Sequence, residues 1–268
     1  MTVTGERSAD NDAVADHLLQ EVRGKSLWLT LNRPEKRNSL TVDLVGRLAD
    51  AVEAADRGGV VRSIVISGSG SVFCAGGDLV SLSEVAEAGS RAVTDIIYAQ
   101  FQRLVRALEA SSLPVIAAVN GAALGAGLDL AMACDLRVVS DRAVFASSWI
   151  GVGLVPGMGG AHLLTRAVGS TRAAELVLLG RRIEAGVALD WGLVNSVVPD
   201  GELATTVRKI TEALAASSQP AIASSKASLR RAGAADFAHE LAILGAVQGG
   251  LLTGEEFRAA TARFRIQS

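Results

Sequence analysis

Apolar and polar positions alternate along His17–Arg23 and again along Ser26–Leu31, with Gly24-Lys25 between them, which predicts a β-hairpin. Asn32–Asn38 breaks the pattern with Pro34 and three basic side chains, Arg33, Lys36 and Arg37, and reads as a loop. From Thr41, a good helix cap, Leu44, Val45, Leu48 and Val52 recur at helical spacing until Asp56–Gly59. Val61–Ser67 predicts a strand that runs into the glycine-rich turn Gly68–Leu79, where Asp78 reads as the cap of a following helix. Ser81–Ser90 is polar and contains Gly89, so it reads as a mobile loop over a site; Arg91–Ala110 then predicts a long amphipathic helix.

The next stretch, Val119–Asp135, organises the chain. It ends an apolar run, Leu113–Val119, bounded sharply enough to be a buried strand. Asn120-Gly121 signals a turn, Gly125-Ala126-Gly127 lets backbone pass close to a neighbour, and a helix is expected from Leu128. A strand that enters a small-residue turn and then a helix aims free N–H groups and the positive dipole end at one point. That geometry suits an anion, or an oxygen that becomes anionic during reaction. The same residues also suit plain close packing of helix on strand, and both readings stand at this point. Further strands are expected near Leu136–Val139 and Ala143–Ala146. From Gly157 the pattern is helical: Leu163–Val168, Thr171–Leu179 and Glu184–Leu189, broken by glycines, then a short strand Val194–Val198. Glu202–Ala216, Ala221–Arg231, Asp236–Gln248 and Glu255–Arg265 complete a helical final third. The periodicity as a whole reads as α/β followed by α, with no internal repeat.

Composition narrows the function classes. The 268 residues are 49% hydrophobic, enough for a large core, and the net charge of −2 gives no basis for a nucleic-acid or anionic-membrane partner. No apolar run approaches the ~18 residues of a membrane span. Residues 1–16 are polar, lack a secretory pattern, and are expected as a flexible tail. Two cysteines, Cys74 and Cys134, suit a reducing cytoplasm; neither reads as a nucleophile. No His/Cys/Asp/Glu cluster has metal-ligand spacing, and His17, His162 and His239 read as surface or core residues. The turn after Ser67 is not a dinucleotide-binding loop, because the third glycine would have to be Phe73, and no Gly-Lys-Ser/Thr of a P-loop follows.

FCAGGDL (Phe73–Leu79) and NGAALGAGLDLAMACD (Asn120–Asp135) together resemble the crotonase, or enoyl-CoA hydratase/isomerase, superfamily. LNRPEKRNSL (Leu31–Leu40) and VGLVPGMGG (Val152–Gly160) extend the resemblance to roughly Leu18–Phe264, in order and spacing. It implies an α/β fold: a ββα spiral core over 17–198 and a helical C-terminal trimerisation region over 199–268. The implied partner is an acyl-CoA thioester, with no separate cofactor because CoA is part of the substrate, and the implied assembly is a homotrimer or a dimer of trimers.

Carried over by position, the resemblance implies that the backbone N–H groups of Gly77 and Ala126 form an oxyanion hole for the thioester oxygen. Ala126 stands where a glycine is common, which is tolerated if its φ is negative. Lys36 and Arg37 match the place where the family meets the CoA phosphates. Ser39, Ala75, Gly76, Asp78, Leu79, Leu124, Gly125, Ser148, Trp149 and Gly153 are the further expected substrate contacts.

Hydratases of this family use two glutamates, one to activate water and one to protonate carbon. Here the first position is Asp129, one methylene shorter, and the second, in FASSWIGVG (Phe145–Gly153), is Trp149. Dienoyl-CoA isomerases of the family keep an aspartate at the position of Asp129, but have acids at those of Trp149 and Gly157. Simple enoyl-CoA isomerases depend mainly on the acid that Trp149 replaces. Asp129 also fits a helix-dipole or ion-pair role. Two functions are therefore carried forward: an acyl-CoA enzyme that stabilises a thioester enolate with Asp129 as its one acid/base carboxylate, and a non-catalytic acyl-CoA or fatty-acyl binding protein. Hydrolysis in the manner of Clp-type proteases, which share the spiral fold, is set aside because Gly125–Leu128 contains no Ser, Thr or Cys.

Overall fold

The structure, a computed structural model, describes residues 16–232 and 236–265. The expected tail at 1–15 lies outside the described residues, but Asp16 is held in place, accepting hydrogen bonds from the Arg47 guanidinium and the Leu18 N–H.

The hairpin forms as expected from β1 (Leu18–Arg23) and β2 (Ser26–Leu31), paired antiparallel. Thr41 caps α1 (Val42–Gly58) through its hydroxyl, which accepts from the Leu44 N–H. Next come β3 (Ser63–Gly68), β4 (Val72–Cys74) and α2 (Leu79–Ala86). The expectation of a loop at Ser81–Ser90 is corrected by α2, which Asp78 caps by accepting from the Ser81 N–H. None of its residues is fully buried, and this weak apolar stripe is why the segment read as a loop. The long helix is present but interrupted: one turn, α3 (Ser90–Ala92), leads through a π-helical segment, Val93–Tyr98, into α4 (Ala99–Ala110).

Then follow β5 (Val115–Val119), β6 (Ala122–Leu124), α5 (Ala126–Ala133), β7 (Leu136–Ser140) and β8 (Val144–Ala146). The small residues after Asn120-Gly121 form the short strand β6, and α5 starts at Ala126, two residues before the expected position. After a 3₁₀ turn, Ser148–Val152, the chain forms α6 (Gly160–Leu179), in which Gly169 departs from helical geometry at the expected break. β9 (Arg182–Glu184), α7 (Ala185–Asp190) and β10 (Ser196–Val198) precede α8 (Leu203–Ala215), α9 (Gln219–Arg231), α10 (Phe237–Thr253) and α11 (Glu255–Arg265). The sequence pattern did not indicate β9; it has three residues and one buried side chain, Ile183.

One sheet runs β1-β2-β3-β5-β7-β10, parallel from β2 onward, and a second runs β4-β6-β8-β9. β3, β5 and β7 each cross directly into a short strand of the second sheet, β4, β6 and β8, which are parallel. The chain therefore winds as a spiral of ββα turns, and the turns between helices and second-sheet strands stack at one edge. The main core fills the space between the sheets and α1, α4 and α5. The other face of the first sheet is covered by α8, whose Leu203 and Val207 pack on Trp28, Val65, Ile116 and Val138. The buried Lys226 and its neighbour Arg230 fasten α9 to Asp135 at 2.6 and 3.2 Å.

Candidate active site

Two turns built for open backbone meet between β4, β6 and α5. Gly76 has φ of +112° and Gly125 has φ of +52° with ψ of −119°, conformations that L side chains rarely adopt. Leu40 N–H donates to Gly76 O at 2.8 Å, and Asp78 N–H donates to Leu40 O at 2.9 Å. This parallel bridge fixes Gly77 with its own N–H turned away from Leu40. Ala126 is the first residue of α5, so its N–H has no intrahelical acceptor. Neither N–H finds an acceptor among the described residues. The turns are in contact: a Cβ built on Gly76 would lie 3.7 Å from the Ala126 nitrogen. The φ of Ala126 is not positive, so alanine meets the condition set for it.

The loop before α1 is tied to this turn from below. Asn38, fully buried at φ of +56°, accepts from the Arg33 N–H and donates to Ser69 O and Val72 O. Ala75 N–H donates to Arg37 O, so the exposed Lys36 and Arg37 side chains stand beside the Gly76 turn. Asp78 is occupied within the protein: besides capping α2 it pairs with Arg33 at 3.0 Å and accepts from Ser39. Burial works against its charge, yet the Ser81 N–H, Arg33 and Ser39 outweigh it and hold the carboxyl below the usual range. Asp78 and Ser39, expected as substrate contacts, also brace the turn.

An apolar cavity of about 230 Å³, lined by Leu79, Leu82, Ile97, Tyr98, Phe101, Trp149 and Leu154 among others, reaches these turns through Leu82 against Gly77 and Trp149 against Gly125. Trp149, 7% exposed, reaches it from the 3₁₀ turn, and its ring together with the Ser148 hydroxyl lies against Gly125. Leu124 is half-buried at the same turn. Gly153 is exposed at the end of the turn with φ of +72° and open space at its Cα, and the next residue, Leu154, lines the cavity. A larger cavity of about 550 Å³ beneath α9 shares no lining residue with this one.

Asp129 closes the first turn of α5 and is completely buried. Its carboxylate lies against Gly160: a Cβ there would fall 2.6 Å from Asp129 Cγ. Neither oxygen makes a hydrogen bond among the described residues. Burial pushes this acid up to about 7, and the nearby Trp149 indole N–H and Met158 N–H, which oppose the rise, stop short of hydrogen-bond geometry. Asp129 does not line the cavity; Trp149 and Tyr98 do. Tyr98, which the periodicity did not single out, feels the Asp129 charge and ends the π-helical segment. Such segments gather at functional sites, but nothing local in Val93–Tyr98 announces one. Cys74 is buried, its thiol pushed up to about 12, which excludes it as a thiolate nucleophile. Among the described residues no group of His, Cys, Asp and Glu could hold a metal ion.

The order of these parts is matched by known proteins. A family model described as enoyl-CoA hydratase/isomerase matches residues 24–264. The chain belongs to the enoyl-CoA hydratase/isomerase family. Its relatives include the short-chain-enoyl-CoA hydratase of Clostridium acetobutylicum, 32% identical over 250 residues, which are 93% of this chain and 94% of that one. A solved enoyl-CoA hydratase from Polaromonas sp. JS666 is 34% identical with a TM-score of 0.88, over 93% of this chain and 97% of that one. A solved structure from Thermobifida fusca YX, in complex with CoA, is 33% identical with a TM-score of 0.80, over 88% and 93%. The crotonase-type spiral and helical C-terminal region expected from the motifs are therefore the fold of this member of the family.

Proposed function

We propose that the protein moves protons at the α-carbon of an acyl-CoA thioester, with the Gly77 and Ala126 N–H groups stabilising the enolate oxygen and Asp129 as the acid/base carboxylate. The observation that carries this reading is the pair of acceptor-free N–H groups beside an apolar cavity. One such donor is typically worth about 10²–10³ in rate. The acyl chain enters the cavity past Leu79 and Trp149, and the CoA phosphates meet Lys36 and Arg37. The CoA held by the Thermobifida relative and the name of the Clostridium relative support the thioester as substrate. A carboxyl near 7 can take a proton and return it at neutral pH. One carboxyl suffices for α-proton exchange or a double-bond shift, whereas hydration also needs a held water, and Trp149 fills the place of the second acid.

The buried free cysteines fit a reducing cytoplasm. Exposed Leu178, Leu179 and Val155 fit burial between copies in a trimer or a dimer of trimers. A second reading, a non-catalytic acyl-CoA binder, is favoured by one observation: Asp129 is shut off from the cavity. Calorimetry with acetyl-, crotonyl- and long-chain acyl-CoA, beside deuterium exchange at the acyl α-carbon, tests both. Binding with exchange supports the enzyme, and binding without exchange supports the binder. No binding at high micromolar concentration would end both.

A further inference from the structure

Asp129 is an unpartnered buried acid without a direct path to substrate, and orphaned buried polar groups call for an explanation. Two cavity-lining side chains are coupled to it: Trp149, whose indole N–H is nearby, and Tyr98, which feels its charge without hydrogen-bonding to it. Trp149 Nε1 is a donor only and cannot receive a proton from carbon. The Tyr98 hydroxyl can both donate and accept, and no partner holds it among the described residues. Tyr98 and Asp129 also rest on one short turn. A Cβ on Gly157 would lie 2.6 Å from the Tyr98 hydroxyl, and one on Gly160, three residues on, would meet the Asp129 carboxylate. We propose that Tyr98 is the group that touches the substrate and relays protons between the acyl chain and Asp129.

The relay rests on the enolate reading above and deepens it. In the forward step the α C–H bond breaks and its proton passes to the Tyr98 oxygen. The phenol's own proton passes to Asp129, and the C–H electron pair moves into the enolate held by Gly77 and Ala126. Tyr98 remains a neutral phenol and Asp129 becomes a carboxylic acid. In the return step the phenol gives its proton to the α-carbon, or to the γ-carbon of a β,γ-unsaturated acyl chain, and Asp129 restores it. No other co-reactant is required. Burial raises the Tyr98 phenol and the Asp129 charge raises it further, so a free phenolate is disfavoured and the transfer is coupled. Asp129 is the one charged group that acts on Tyr98 among the described residues.

The test uses the fact that Tyr98 is the only tyrosine of the chain. Its phenolate absorbance therefore titrates one residue. In the natural protein the midpoint is expected above the ordinary phenol value, and it should fall in Asp129→Asn; an unmoved midpoint would overturn the coupling. Tyr98→Phe keeps the ring and removes a hydroxyl without a partner, so folding and CoA-ester binding should persist. Deuterium exchange at the α-carbon should drop in Tyr98→Phe by about as much as in Asp129→Asn, and the double variant should lose little more. Exchange retained in Tyr98→Phe but lost in Asp129→Asn would overturn the relay alone. No exchange in the natural protein would overturn the enolate reading and the relay with it.

Discussion

Gly127 lies so close to Cys74 that a methyl group on it would fall 2.2 Å from the Cys74 carbonyl oxygen. The contact seats the first turn of α5 against β4, and so sets the distance between the Ala126 and Gly77 N–H groups. It also explains why alanine is acceptable at 126 but glycine is required at the next position. Gly127→Ala is expected to destabilise by about 1–3 kcal/mol through overpacking and to weaken any enolate chemistry. Ala126→Pro should keep the helix, since proline is compatible with a first helical position, and delete one donor, for a loss of about 10²–10³ in exchange rate. Circular dichroism melts beside the exchange assay check both; a Gly127→Ala protein with unchanged melting would refute the contact's role.

The enclosed Asp129 carboxyl predicts an unusual pH dependence of stability. Its folded pKa of about 7 lies above the ordinary value of 3.8. Between those values the folded protein keeps a proton that the unfolded chain has released. Stability from this group is therefore full below the ordinary value, falls as pH rises through the window, and is gone above about 7. The size is a few kcal/mol, at about 1.4 kcal/mol per unit. Asp129→Asn should remove that slope, melting higher than the natural protein at pH 8 and by a clearly smaller margin at pH 5. Thermal unfolding of both proteins across pH 5–9 decides this, and parallel curves would show that Asp129 is not a raised acid.

Crotonyl-CoA hydration should be slow. On the proposed reading the second acid is absent: Trp149, whose ring lies beside Gly125, has no proton to exchange at neutral pH. A positioned acid or base contributes about 10²–10⁴, so hydration should fall short of a two-carboxylate hydratase by that order. Trp149→Glu should raise it by about tenfold or more. A spectrophotometric assay of crotonyl-CoA loss measures both, and efficient hydration by the natural protein would mean that another group does the work assigned here to a missing acid.

Lys226 is buried with Asp135 at 2.6 Å and donates to Leu113 O, which holds α9 to the chain just before β5 and just before β7. Burial pulls the Lys226 ammonium down, and the Asp135 charge opposes it. Removing Lys226 leaves Asp135 with Arg230 and the Val115 N–H as partners, so Lys226→Met should cost about 1–3 kcal/mol, the range for losing a charged hydrogen bond. Denaturant unfolding is the measurement; a change below about 1 kcal/mol would place the pair among weak surface contacts.

Much of this protein was legible in its sequence because the signals are local. The β1–β2 hairpin, the Thr41 cap, the β5 run and the break at Gly169 each follow from residues within one element, and the order of the glycine turns sufficed to identify the family. Other features depend on neighbours distant in the chain. α2 reads as a loop from sequence because it is short and its serines and Glu84 break the apolar pattern; the structure seats Leu82 between the core and a cavity. Asp78 and Ser39 also brace Arg33, a contact that exists only once Leu40 bridges Gly77. The enclosure of Asp129 by Trp149, Met158 and Gly160 brings together residues from separate elements. A carboxylate's proton affinity depends on how much water its neighbours exclude, and only the tertiary structure decides that.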